Sequence, residues 1–468
     1  MRIKAGLKCG AAIMLLVATH PAGAVAQATL PAATRAAIDS AALEALARTG
    51  APSASIAVVR QGQIAYLQAY GNAQLDPVVP ATTDMRYSIG SISKQFTATA
   101  VLLLVQRGKL SLDDKVSRWL PELTRANDVT VRQLLSMTSG YQDYWPQDYV
   151  MPPMLQPTTP RAIVDQWARK PLDFEPGTRW QYSNTNYVIA GMIVEKVAGM
   201  PLVDFLRKEI FDPLNLKSVA IIDGNALGPH DAQRYRRFAL GPARPAPKEG
   251  AGWLFAMAEL AMTPADLARW DISVIDQSIL SPASYHTQQT EVLLADGVAT
   301  GYGFGVDVGM SNGHRVISHS GEVSGFTAQN SIYPDDSTAV VVLVNMDATG
   351  APGMLAGRIT GILFGQADDA TRAATARARQ IFEGLQHGTI DRSLFSDNAN
   401  AYFSDQALAD FAQSLGPLGA ATEFTQTRQS LRGGMTYRGY RIRCGEHTLS
   451  LSTFTLPNGK LEQYQVSP

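Results

Sequence analysis

The chain has 468 residues, 46% hydrophobic and 17% charged, enough for a large buried core and more than one domain. With 40 Lys and Arg against 41 Asp and Glu the net charge is -1, so no overall field draws nucleic acid or an anionic membrane, and no basic cluster reverses this. The two cysteines, Cys9 and Cys444, exclude a scaffold built on disulfides.

Arg2, Lys4 and Lys8 flank the start of an apolar run, Gly10 to Thr19, and small residues follow at Ala22-Gly23-Ala24-Val25-Ala26. That order predicts a secretory signal over 1–26, cleaved near Ala26, whose core is too short to serve as a stable membrane anchor. Export across the inner membrane to the periplasm is expected, and release to the medium stays open. A helix is predicted from about Ala32 to Ala47, stopped by Gly50-Ala51-Pro52, then two strands, Ser55 to Arg60 and Ile64 to Tyr70. Phe96 to Val105 lacks Pro and Gly and is rich in Ala and Leu, which predicts a buried helix ending near Gly108. A mostly helical region runs on to about Thr290, with a helix start at Thr263-Pro264-Ala265-Asp266.

Strand signals then return at Tyr302 to Val308 and His314 to His319, flanking the hairpin dipeptide Asn312-Gly313, and at Thr327 to Tyr333 and Thr338 to Asn345. A helix from about Pro352 to Phe364 closes the unit. The early and late strands are expected to share one antiparallel sheet, with the helical middle as a second lobe and the site in the cleft between them. This α/β (α+β) two-lobed domain is placed at 27–366. An Ala- and Arg-rich helical linker is expected at 367–380, and a small α+β domain at 381–468, with helical signals followed by four strands.

Three short motifs carry chemistry. Ser91 and Lys94 form S-x-x-K at the head of the Phe96 helix, where residues three apart share a face. A serine hydroxyl needs a neighbouring base, and a buried Lys becomes one as desolvation lowers its pKa. Tyr182-Ser183-Asn184 lies in a loop before a helical stretch, Tyr187 to Val197. A Tyr hydroxyl near a Lys amine exchanges protons as base or acid, and an Asn amide holds a substrate carbonyl. His319-Ser320-Gly321 ends an expected strand, where Gly admits a close backbone and the following amide, on Glu322, pairs with that of Ser91 as an oxyanion hole. Aromatic residues Tyr144, Trp145 and Tyr149 are candidate pocket walls. No G-x-S-x-G elbow is present, and His230, His286, His314, His387 and His447 are scattered without metal-ligand spacing, so no cofactor and no metal are expected.

In this order, S-x-x-K, Y-S-N and H-S-G resemble the serine β-lactamase and penicillin-binding protein superfamily, most closely its class C-like branch of class C β-lactamases, D-peptidases and carboxylesterases. Leu134-Leu135-Ser136-Met137-Thr138-Ser139-Gly140, Gly301-Tyr302-Gly303-Phe304-Gly305 and Gly325-Phe326 add to the likeness, which spans about 32–365. It implies Ser91 as the acylated nucleophile, Lys94 and Tyr182 as the proton-transfer pair, and Asn184 with His319, Ser320 and Gly321 as substrate and oxyanion supports. Two departures stand out. Class C β-lactamases carry Lys where His319 stands, and Met137 replaces a frequent His. The first points toward esters or D-peptide-like amides rather than penicillins. The C-terminal element order resembles the NTF2-like or cystatin-like class. A small ester, peptide or β-lactam is the expected partner, and oligomeric state stays open. Two alternatives also remain: a true β-lactamase or DD-carboxypeptidase, and a sensor that is acylated without turnover.

Overall fold

The computed structural model describes residues 29–147, 149–365 and 369–467, so the expected signal over 1–26 lies outside the described residues. Helix α1 (Ala32–Thr49) ends where Gly50 takes a left-handed conformation and donates its N–H to the Leu46 carbonyl. Strands β1 (Ser53–Arg60), β2 (Gln63–Leu75) and β3 (Val78–Pro80) follow, then helix α2 (Ser93–Gln106). The helical lobe contains α3 (Asn184–Ala198) and α4 (Pro264–Ile275); Thr263 caps α4 by accepting from the Asp266 amide at 3.3 Å. Strands β4 (Asp307–Ser311), β5 (His314–Val323), β6 (Phe326–Tyr333) and β7 (Thr338–Val344) and helix α5 (Ala351–Phe364) complete the unit.

Early and late strands form one seven-stranded sheet in the order β3-β2-β1-β7-β6-β5-β4, antiparallel throughout. Its central strands read as unbroken apolar runs because both faces are covered. Ile56, Val58, Val340 and Val342 point to one core, with α1 and α5. Ala57, Val59, Val341 and Leu343 point to the other, with α2, α3 and α4.

Strand β2 runs on to Leu75 where Tyr70 was expected, and two further strand boundaries that differ from expectation matter for the site. Tyr302 to Val306 is not strand; β4 begins at Asp307. Gly301 and Gly305 have positive φ there, and the chain folds over α2. Strand β5 does not stop at His319 but runs on to Val323, so His319-Ser320-Gly321 lies within it. The hairpin at Asn312-Gly313 has both residues at positive φ, as a tight turn requires. Pairing with β4 covers β5 only from His314 to Ser318, whereas β6 accompanies it to Val323. Among the described residues, no strand pairs with the outer edge of β5 beyond Ser318.

A third core lies in the C-terminal segment. Helix α6 (Asp369–Gln386) contributes Ala378, Ile381, Phe382 and Leu385, so residue 380 falls inside a helix rather than at a boundary. Helix α6 packs with Phe395 and Phe403 against strands β8 (Glu423–Arg432), β9 (Met435–Cys444), β10 (His447–Thr455) and β11 (Leu461–Ser467), a consecutive antiparallel meander. Cys444 is buried there as a free thiol. No helix among the described residues is long and apolar enough to cross a membrane. Because this core shares no residue with the other two, a chain ending at Gly365 is expected to stay soluble and to keep the chemistry of Ser91. Gel filtration and labelling by a fluorophosphonate check this; aggregation or loss of labelling would make the segment integral to the first unit.

Candidate active site

Ser91 sits not on α2 but in the 3-10 turn Gly90–Ile92 that leads into it. The turn keeps the three-residue spacing useful: Lys94 Nζ lies 2.8 Å from Ser91 Oγ. Two other acceptors hold the amine, Asn184 Oδ1 at 2.8 Å and the Met257 carbonyl at 3.1 Å. A neutral amine has two hydrogens and one lone pair. With both hydrogens given to Asn184 and Met257, the lone pair faces the Ser91 hydroxyl. Lys94 is fully buried, and burial pushes its pKa down to about 7 against an opposing pull from Asp143. A large fraction is therefore free base at neutral pH.

Tyr182 also bonds Ser91, and its ring lies 5.0 Å from Lys94 Nζ. Burial pushes its phenol well above the usual range, with the charges of Asp143 and Asp307 adding, so it stays protonated at neutral pH. The sequence left base and acid open between the two; of the two, the buried amine is the group that gives up its proton near neutral pH and the phenol the one that keeps it. Asn184 is the first residue of α3 rather than a loop residue, and its oxygen is turned to Lys94. Met137, for which the sequence offered no role, has positive φ, and its sulfur accepts from the Ser183 amide at 3.4 Å and Asn186 Nδ2 at 3.7 Å. It thereby supports the loop that presents Tyr182.

His319 is buried, with Nε2 3.0 Å from the Tyr302 hydroxyl and Nδ1 2.5 Å from the Ser320 carbonyl. A carbonyl only accepts, so Nδ1 carries the proton and Nε2 accepts from Tyr302. Burial pushes His319 down to about 4, with the Lys94 charge acting the same way, so the imidazole is neutral. Beside it two stretches of main chain meet. A Cβ on Gly321 would lie 1.9 Å from the Ile89 carbonyl oxygen, and one on Gly90 would lie 2.5 Å from the Glu322 nitrogen. Both positions demand glycine, and their contact sets the Glu322 amide beside the turn that carries Ser91. The Glu322 side chain accepts from the Ala348 amide at 2.8 Å.

A cleft of about 550 Å³ opens over Ser91, and Tyr182, Asn184, His319, Ser320 and Glu322 line it. Trp145 and Tyr149 are in its wall, whereas Tyr144 is fully buried and bonds the Trp253 carbonyl. Sequence reasoning missed four members: the Met257 carbonyl, which has no sequence signal, and Asp143, Tyr302 and Asp307. Asp143 follows the Thr138-Ser139-Gly140 turn, and Tyr302 lies in the glycine run already noted, so position alone could have nominated both. Asp307 is open to solvent in the cleft yet ringed by protein, and that crowding pushes its carboxyl up to about 6. Asp143, Asp307, Glu322 and Asp347 all line the cleft, and no Lys or Arg does among the described residues.

The family model named Beta-lactamase matches residues 38–360. The chain belongs to the beta-lactamase family. It is a serine hydrolase of the β-lactamase and penicillin-binding-protein superfamily. Penicillin-binding protein 4* of Bacillus subtilis (strain 168) is 28% identical over 367 residues, covering 74% of this chain and 78% of the relative. D-aminopeptidase of Brucella anthropi is 28% identical over 341 residues, 70% of this chain but 63% of the relative, which is less than two thirds. The crystal structure of D-amino acid amidase from Ochrobactrum anthropi SV3 superposes with a TM-score of 0.64 at 25% identity, over 71% of this chain and 99% of that one.

In this beta-lactamase family member, Lys94→Ala and Tyr182→Phe are each expected to slow Ser91 acylation by roughly 100-fold or more, with non-additive losses because both act on one proton path. Gly321→Ala is expected to be as damaging, since its methyl must force Ile89 and Gly90 away from β5. Stopped-flow or gel-based labelling rates check all three, and wild-type rates in any of them would remove that residue from the site. Acylation should fall as pH drops through about 7, where Lys94 takes up its proton.

Proposed function

We propose that the chain is an exported hydrolase of esters or amides that works through an acyl-enzyme on Ser91, in the periplasm after loss of the signal over 1–26. The observation that carries the reading is the Lys94 amine 2.8 Å from Ser91 Oγ, with its other two partners already in place. Ser91 Oγ attacks the substrate carbonyl as Lys94 takes its proton. The oxyanion sits between the Ser91 and Glu322 amides, at the entry to α2, where the helix dipole adds to the field. As the tetrahedral adduct collapses, the carbonyl carbon parts from the leaving oxygen or nitrogen, which takes the Tyr182 proton. Lys94 returns its own proton to Tyr182. Water then attacks the ester by the reverse route, releasing the acid and restoring Ser91.

The cleft's charge supports a substrate preference. A neutral His319 offers no fixed cation for a carboxylate, and the four lining carboxylates repel one. Neutral acyl esters and amides with a free ammonium group suit this field, whereas the carboxylates of penicillins and of D-Ala-D-Ala peptides oppose it. The likeness to a D-amino acid amidase agrees with this preference. The open outer edge of β5 beyond Ser318 offers main-chain hydrogen bonds to an extended substrate.

A panel of short acyl esters, D-amino-acid amides, D-Ala-D-Ala peptides and β-lactams on purified mature protein is the test. The kcat/KM values for esters or D-amino-acid amides are expected to exceed those for the anionic β-lactams. His319→Lys should raise the β-lactam-to-ester ratio by roughly tenfold, the effect of one added charge contact. A wild-type protein that hydrolyses β-lactams far faster than esters overturns the preference, and one acylated at Ser91 without release is a sensor.

A further inference from the structure

Helix α3 starts at Asn184, yet its N-cap residue, Ser183, makes no side-chain capping bond, and Ser183 Oγ is buried without a hydrogen-bond partner. The cap comes instead from a residue distant in sequence. Asp143 Oδ1 accepts from the Asn184 backbone amide at 2.9 Å and from the Trp145 amide at 3.2 Å. Asp143 Oδ2 lies 3.4 Å from Asn184 Nδ2. A carboxylate at the head of a 15-residue helix is also favoured by the helix dipole.

The same side chain decides which way the Asn184 amide points. Asn184 Oδ1 receives Lys94 Nζ, while its NH2 faces Asp143 Oδ2 and, at 3.4 Å, the Trp145 carbonyl. Rotating the amide by half a turn would set NH2 against the Lys94 amine hydrogens and oxygen against the carboxylate. Both contacts would then be repulsive. We propose that Asp143 is a positioning residue for proton transfer, locking Asn184 so that its oxygen orients the Lys94 amine toward Ser91. The proposal rests on the reading of Ser91 as nucleophile given above.

Lys94 has several neighbours besides Asp143: Ser91 on its own turn, Tyr182 and Asn184 before and on α3, the Tyr187 ring at 5.7 Å, the Met257 carbonyl, and neutral His319 on β5. Among the described residues, Asp143 is the one carboxylate whose charge acts on Lys94, raising its pKa against the larger effect of burial. Removing that charge lets burial act unopposed, so Lys94 holds its proton less tightly. The acid limb of acylation then moves to lower pH. A residue that only capped α3 would lower stability and leave that limb in place.

The test is the rate at which a neutral alkyl fluorophosphonate labels Ser91, measured against pH in the full chain. Wild-type labelling that disappears in Ser91→Ala establishes the nucleophile; its failure would count against that reading and not against Asp143. With the nucleophile established, Asp143→Asn is expected to shift the labelling midpoint down by roughly half a pH unit or more. Its plateau rate should fall roughly tenfold as Asn184 loses its orientation. In the plateau rate, Asn184→Ala should make a further Asp143→Asn change nearly silent, within roughly twofold, because the orienting effect runs through Asn184, while the direct charge effect on the midpoint persists. If circular dichroism shows that Asp143→Asn does not fold, Asp143→Ser takes its place in every arm. A midpoint that stays or rises, or plateau losses that multiply in the double variant, overturns the proposal.

Discussion

Burial of one amine beside one hydroxyl is the constraint on which the rest of the site depends. An ammonium group is costly to bury, so Lys94 exists there largely as a base, and its surroundings must satisfy the hydrogens without supplying a strong counter-charge. Helix α2 provides the burial: Phe96 packs on Trp270 with ring centroids 4.3 Å apart, and a Cβ on Gly305 would lie 2.8 Å from the Lys94 carbonyl oxygen. The loop bearing the Met257 carbonyl is strapped to α2 by Thr97 Oγ1, which donates to the Ala256 carbonyl at 2.6 Å. Glu259 holds the same loop from behind by accepting from the Ala256 amide at 2.9 Å, and burial raises its pKa to about 8. It is therefore mostly uncharged at neutral pH and adds little charge near Lys94.

The sheet contributes position where the helical lobe contributes burial. Central strands β1 and β7 are anchored from both faces, so β6 and β5 extend from a rigid base. Strand β4 leaves β5 after five paired residues, and the cleft occupies the place where the ladder would have continued. His319 stands at that departure point. Its ring is fixed by Tyr302 and by its neighbour's carbonyl, which makes it a shaped, neutral wall.

Much of this could be read from residue order. The unbroken valines of β7, the helix-forming run after Lys94 and the hairpin at Asn312-Gly313 each have a strong local signal, and the S-x-x-K spacing brought Ser91 and Lys94 together as helical periodicity requires. The misplaced boundaries had local causes. Tyr302 to Val306 alternates like a strand, but its glycines serve close packing, Gly305 over α2 and Gly303 against the Gln288 carbonyl, rather than a ladder. Residues 319–323 carry small and polar residues that look like a turn, and only their pairing with β6 makes them strand. The Met257 carbonyl was not legible, because a carbonyl is present at every position in a chain, and Asp143, though its position could nominate it, gains its partners only by tertiary approach.

The contact between Ile89-Gly90 and Gly321-Glu322 joins the two lobes through main chain alone. A seam without side chains has no residue whose exchange can adjust it gradually: any substituent there wedges the lobes apart. Divergence in what this scaffold accepts is thereby pushed outward, to the wall formed by Trp145 and Tyr149 and to the approach of Asp307, where side chains face the cleft. The part of the molecule that stabilises charge is held fixed by geometry, and the part that distinguishes one guest from another is free to vary.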